Sequence, residues 1–208
     1  MPWWWYEFGK NAIGGKFQFA NKPDFSNAVT VYTIETAAMR HIDVSVNNPH
    51  SFKYARYLSA PGAYNMMAEV QFFSDTVQLQ GKVIGTDGSF QYLPKKSKYS
   101  VFDGNVLTFY FAKEKSEAWA GLEFEMPQHI SRIRYWFRYD DNTIREGDNY
   151  ELLYWDENSW ISAGKQIATD TLLHFQQVPS GTLYWLRDHT RGKEERPFTY
   201  ENGKQVWW

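Results

Sequence analysis

The chain has 208 residues, 22 basic and 24 acidic side chains giving a formal charge of −2, no cysteine, and 19% aromatic residues. That length accommodates one large all-β domain or two small ones. The near-balance of charge gives no bulk attraction for nucleic acid or anionic lipid, and the missing cysteines exclude disulfides, thiolate metal sites and cysteine nucleophiles.

From the N-terminus, Met1-Pro2-Trp3-Trp4-Trp5-Tyr6 lacks the basic start and unbroken apolar stretch of a signal peptide. No apolar run approaches the roughly 20 residues of a membrane span. Short runs of β-branched and aromatic residues then follow one another with period two. Val29 to Ile34 alternates and predicts a strand, Thr36 to His41 allows one helical turn, and Ile42 to Val46 and Phe52 to Leu58 predict further strands. Pro61-Gly62 marks a turn before Glu69 to Phe73, and a domain boundary is expected near residue 79, before Val83-Ile84-Gly85. Asp87-Gly88 and Asp103-Gly104 bracket the basic run Lys95-Lys96-Ser97-Lys98, which reads as a solvated loop. Strands are then expected at Val106 to Phe111, Gly121 to Phe124, Ile130 to Phe137, Tyr150 to Trp155 and Leu183 to Leu186. Turns are expected at Asp156-Glu157-Asn158, Pro179-Ser180-Gly181 and Asn202-Gly203. Regularly punctuated short strands of this kind indicate a sandwich or barrel.

There is also internal similarity. Phe52 to Leu58, a loop, and Ala68 to Phe73 resemble Thr182 to Arg187, a loop, and Glu194 to Tyr200: an aromatic, Arg-bearing strand, then a Glu leading into an aromatic strand.

Val101-Phe-Asp-Gly-Asn-Val-Leu-Thr108, Trp119-Ala-Gly-Leu-Glu-Phe124, Ile130-Ser-Arg-Ile-Arg-Tyr135 and Tyr150-Glu-Leu-Leu-Tyr-Trp155 with Trp160 follow one another. In this order they resemble the discoidin, or coagulation-factor C-type, galactose-binding-like module. The resemblance implies an all-β, jelly-roll β-sandwich. It covers 80–208 as one complete module, while 1–79 contains only a partial one, whose residues 13–75 match the second half of the pattern. The closing stretch Arg191 to Trp208 resembles the end of surface-associated proteins of gut Bacteroidetes, which implies a periplasmic or cell-surface setting beside a neighbouring domain of the same polypeptide.

Asp103, Asn105 and Thr108 place three oxygen-bearing side chains within six positions, and a hard cation such as calcium gathers oxygens from such a loop plus a distant carboxylate. The resemblance implies a structural calcium completed by Glu195, with Glu69 as its counterpart in the N-terminal segment. An Asx-turn without metal satisfies the same residues. For a ligand, the resemblance implies that Arg138 and Asn142 contact a sugar, with Asp140 and Tyr110 as nearby candidates and Tyr64 as the aromatic platform. A guanidinium fork and an amide suit adjacent hydroxyls, and a ring suits a sugar's C–H face. A solvated loop in which Arg138 and Arg145 pair with Asp140, Asp141 or Glu146 is the alternative. This chain departs from the family in having Phe109, Tyr110 and Phe111 where sugar-binding members often carry His or Trp.

Trp119, Trp136, Trp155, Trp160 and Trp185 fall on strands and read as core, whereas Trp3 to Trp5 with Trp207 and Trp208 read as contacts to another domain. The five histidines are scattered without metal spacing, no Gly-x-Ser-x-Gly elbow occurs, and Asp140-Asp141 and Glu194-Glu195 would point apart rather than converge. The expectation is a non-catalytic carbohydrate-binding accessory module whose partner is a glycan or glycoconjugate. A structural spacer without a ligand and a small glycan hydrolase are the alternatives.

Overall fold

The computed structural model describes residues 9–37, 41–115, 117–138 and 144–208. The chain is all-β with several antiparallel sheets. It divides into two compact units, whose described residues are 9–138 and 144–208.

In the larger unit a five-stranded sheet runs β2 (Val29–Thr33), β1 (Lys16–Ala20), β4 (Ser51–Leu58), β8 (Trp119–His129), β7 (Lys82–Gly85). A four-stranded sheet runs β3 (Ile42–Ser45), β9 (Arg132–Phe137), β5 (Met67–Ser74), β6 (Val77–Gln78). Alternation decides which face each strand buries. In β1 the sequence Lys-Phe-Gln-Phe-Ala turns Phe17 and Phe19 fully inward and leaves Lys16 exposed. The inner faces meet ring to ring: Phe19 lies edge-on to Phe72 at 6.0 Å, Phe17 is 5.0 Å from Tyr135, and Phe72 meets Phe124 edge-on at 6.5 Å. This is a β-sandwich with one continuous core. Close strand approach is built into β8, where a Cβ on Gly121 would lie 2.3 Å from the Ala55 carbonyl oxygen of β4.

The boundary expected near residue 79 runs through this sandwich. β4 pairs with β8 from Leu58↔Trp119 to Ser51↔His129, and β5 pairs with β9, so strands from both sides of residue 79 complete the same two sheets. Neither side could bury its apolar face alone. The expected strand at Val106 to Phe111 is also absent. There the backbone bonds outward to two other segments, Tyr110 N to Met67 O and Ala112 N to Asn65 O at the start of β5, and Phe111 N to Lys96 O. Of the proposed helical turn, residues 38–40 lie outside the described residues.

The smaller unit is one sheet in the order β11 (Ser159–Ile167), β10 (Asn149–Asp156), β12 (Tyr184–Asp188), β14 (Phe198–Glu201), β15 (Lys204–Trp207), with β13 (Lys193–Glu194) beside β12. Asn202 at φ 52° and Gly203 at φ 76° close the β14–β15 hairpin, the paired left-handed geometry that a tight Asn-Gly turn supplies. One face packs Leu152, Tyr184 and Phe198 with Phe175 and Val178 from the loop above. The internal similarity is not a structural repeat: β12 pairs with β14 at Tyr184↔Phe198, whereas β4 and β5 belong to different sheets.

Candidate functional site

Three backbone bonds build the candidate surface where β9 ends and β5 begins. Arg138 N donates to Met66 O at 3.0 Å, Tyr110 N to Met67 O at 2.9 Å, and Ala112 N to Asn65 O at 3.2 Å. They draw the chain leaving β9 and the 109–112 segment against the chain entering β5. Asn65, fully buried, braces the junction by accepting the Met67 N–H at 3.2 Å and donating to Ala118 O at 3.4 Å.

The side chains so gathered form an aromatic patch held under cations. Phe90 and Phe111 stack at 4.4 Å, and Tyr64 stands edge-on to both at 5.9 and 5.1 Å. The Arg138 guanidinium carbon lies 4.0 Å from the Phe109 centroid and Lys96 Nζ 5.1 Å from the same ring, while Lys115 Nζ lies 5.4 Å from the Tyr64 ring. Of the sequence-based ligand residues, the structure therefore brings Tyr64 and Arg138 to one patch. Tyr110 is elsewhere: it is fully buried, its hydroxyl donates to Thr86 O at 3.0 Å, and burial pushes its pKa up to about 12. On that irregular segment the flanking Phe109 and Phe111 reach the patch while Tyr110 turns into the core. Asp140 and Asn142 lie outside the described residues.

Beside the patch, the Asp103 loop is closed by its own side chains. Asp103 accepts the Asn105 N–H at 2.8 Å and the Thr108 hydroxyl at 2.7 Å, and Asn105 accepts the Leu107 N–H at 3.1 Å. The acid facing this loop is Glu69, 1% exposed, which accepts the Gly104 N–H at 3.3 Å. Burial, aided by the Asp103 charge, pushes the Glu69 pKa up to about 8. Glu195 belongs to the other compact unit, where its carboxylate sits 3.7 Å from Lys193. The donor set at the loop thus comprises the Glu69 and Asp103 carboxylates and the Thr108 hydroxyl, with the Asn105 amide spent on its own turn. These are hard oxygen donors of the type a calcium-like cation takes, and burial with the neighbouring Asp103 charge raises the Glu69 pKa. Among the described residues no group of three or more His, Cys, Asp or Glu side chains is placed to hold a metal.

The basic run resolves into distinct roles. Lys98 is buried, donating to Gly85 O at 2.8 Å and to Asp87 at 2.6 Å, while Lys96 belongs to the patch.

The five strand tryptophans are not core. None of Trp119, Trp136, Trp155, Trp160 or Trp185 is buried, and the interior is filled by Phe and Tyr. On the smaller unit Trp155 meets Trp160 edge-on at 5.5 Å and Trp160 lies 5.4 Å from Trp185, with Arg187 over the last ring at 4.9 Å. Arg187 also pairs with Glu194 at 2.7 Å, so Glu194 and Glu195 serve different cations. Trp207 packs on Phe198 at 4.9 Å, and Trp208 is 64% exposed. Trp3 to Trp5 lie outside the described residues.

Sequence reasoning missed a cavity of about 460 Å³ in the smaller unit, walled by Leu152, Phe175, Tyr184, Phe198 and Trp207, with Glu195 at its lining. The alternation Tyr184, Leu186 and Phe198, Tyr200 was its available signal, but the loop carrying Phe175 and Val178 has no periodicity to announce that it folds over the sheet.

No family model matches the chain, and no curated protein or solved structure matches it.

Proposed function

We propose that this chain is a non-catalytic carbohydrate-binding module of the galactose-binding-like, jelly-roll type, serving a larger exported or surface protein. The observation that carries this reading is the placing of Tyr64 against Phe111 and of Arg138 over Phe109, two rings 6.4 Å apart, with the backbone bonded to the chain entering β5. An aromatic ring and a guanidinium held side by side present the two chemistries a sugar ring offers: apolar C–H faces and clustered hydroxyls. Sites of this size on rigid strand ends lose little on ordering, yet a shallow patch buries little area, so retention on a polymer gains from multivalency.

In this reading calcium is structural. Glu69 and Asp103, with Thr108 and neighbouring carbonyls, would hold it, and it would supply positive charge that lets both carboxylates ionise and stiffens the loop leading to Phe109. Glycan-array screening followed by affinity gel electrophoresis tests the proposal. Retention by at least one glycan, lost in Tyr64→Ala and Arg138→Gln, is the expected result. Silence across a broad array turns the reading to a spacer without a ligand, and turnover of any glycan by the purified chain turns it to an enzyme.

A further inference from the structure

The patch around Tyr64 is basic on a chain whose overall charge is slightly negative. Lys96 and Arg138 share the Phe109 ring at 5.1 and 4.0 Å, so their charges lie within the sum of those distances of one another. Lys115 stands over Tyr64, and Lys113 over Tyr92 at 5.7 Å. Lys113 has Glu114 at 3.8 Å. Among the described residues no carboxylate lies within ion-pair distance of Lys96 or Lys115. Arg138 has a further partner of its own, so the weight falls on the two lysines.

A cation resting on a ring keeps its full charge, because the ring quadrupole orients it without neutralising it. Gathering several such charges is unfavourable in the empty protein, and an anion relieves it. A neutral sugar would use the rings and leave these ammonium groups unanswered. Some cations elsewhere are paired, Lys98 with Asp87, Arg134 with Asp43, Arg191 with Asp148 and Arg187 with Glu194. What sets the patch apart is that its lysines gather over neighbouring rings, Lys96 on Phe109 and Lys115 on Tyr64, with Phe109 and Phe111 6.4 Å apart.

We propose that the ligand of this patch is an acidic glycan, bearing carboxylate or sulfate groups. Its sugar rings lie against Tyr64 and Phe111, and its anionic groups are read by Lys96 and Lys115 with Arg138 beside them. This rests on the carbohydrate-binding reading and narrows it. An anionic membrane shares the charge and could use the exposed Tyr92 ring beside Lys113, so vesicles form the competing arm of the test.

The test uses the full chain in affinity gels and calorimetry against polygalacturonate and chondroitin sulfate, with neutral galactan and mannan and phosphatidylserine vesicles in parallel. Expected is binding to an acidic polymer that weakens steeply with salt and falls about tenfold in Lys96→Gln or Lys115→Gln, the loss of one charge-assisted contact. Lys115 is exposed, so its substitution leaves the fold intact. Binding to neutral glycans alone overturns this inference while leaving the carbohydrate reading standing. Binding to vesicles without any glycan, or acidic-glycan binding unchanged in both lysine variants, overturns it as well. No binding to any probe overturns both.

Discussion

Replacing Glu69 by Gln should change how stability depends on pH, and the sign follows from where the acid sits. The Glu69 carboxyl is buried beside Asp103 and its pKa is raised from 4.5 to about 8. In the fold it therefore keeps its proton after the unfolded chain has released one. Stability from this group is greatest below the unfolded value near 4.5 and declines as pH rises toward about 8. At about 1.4 kcal/mol per pH unit of difference, the full cost above the folded value is about 4 to 5 kcal/mol. Gln is isosteric, still accepts the Gly104 N–H, and cannot ionise. In urea unfolding with a chelator present, followed by hydrogen exchange in β5, wild type and Glu69→Gln should be nearly equal at pH 4. Above pH 8 the variant should be the more stable by several kcal/mol. A saturating divalent cation held by Glu69 and Asp103 should flatten the wild-type curve and leave the variant unmoved. Parallel curves for the two proteins across this range would refute the reasoning.

Removing the Tyr110 hydroxyl in Tyr110→Phe leaves the Thr86 carbonyl without its 3.0 Å donor, a loss of about 1 kcal/mol in thermal or chemical unfolding, with glycan retention unchanged. Phe72→Ala opens a fully buried position between Phe19 and Phe124 and should cost about 3 to 5 kcal/mol, read as a fall in the unfolding midpoint of the larger unit. Gly121→Ala drives a methyl into the Ala55 carbonyl, and should raise hydrogen exchange in β4 and β8 while sparing β10 to β12. Lys98→Met keeps the length of the buried stem but leaves Gly85 O without its 2.8 Å donor. It should destabilise by about 1 to 3 kcal/mol without affecting binding, separating Lys98 from Lys96 within the same basic run.

Strands were legible wherever alternation was clean. Val29 to Ile34, Ile42 to Val46, Phe52 to Leu58 and Tyr150 to Trp155 each carry an observed strand to within a residue or two. β1 carries little sequence signal because Lys-Phe-Gln-Phe-Ala is short and opens on a charge, yet its two phenylalanines are fully buried in the core. Residues 106–111 read as a strand because aromatic density imitates one. Their backbone partners lie at the start of β5 and at Lys96, which no local pattern encodes. The boundary near residue 79 failed for a related reason, since β4 finds β8 more than sixty residues away. The tryptophans err in the opposite direction: period places them on strands, but the faces they occupy are fixed by pairing partners that a local pattern does not contain. At the candidate site, Arg138 and Tyr64 could be named from order along the chain. Glu69 as the acid facing the Asp103 loop, in place of Glu195, emerges only once β5 is seen to lie beside that loop.

The most direct measurement of the central claim is glycan retention by wild type beside Tyr64→Ala and Arg138→Gln, with circular dichroism and hydrogen exchange confirming the sandwich in all three. Retention by wild type and its loss in both variants is the predicted result. Retention equal in all three, or none in any of them, would contradict a carbohydrate site at the Tyr64 and Arg138 patch.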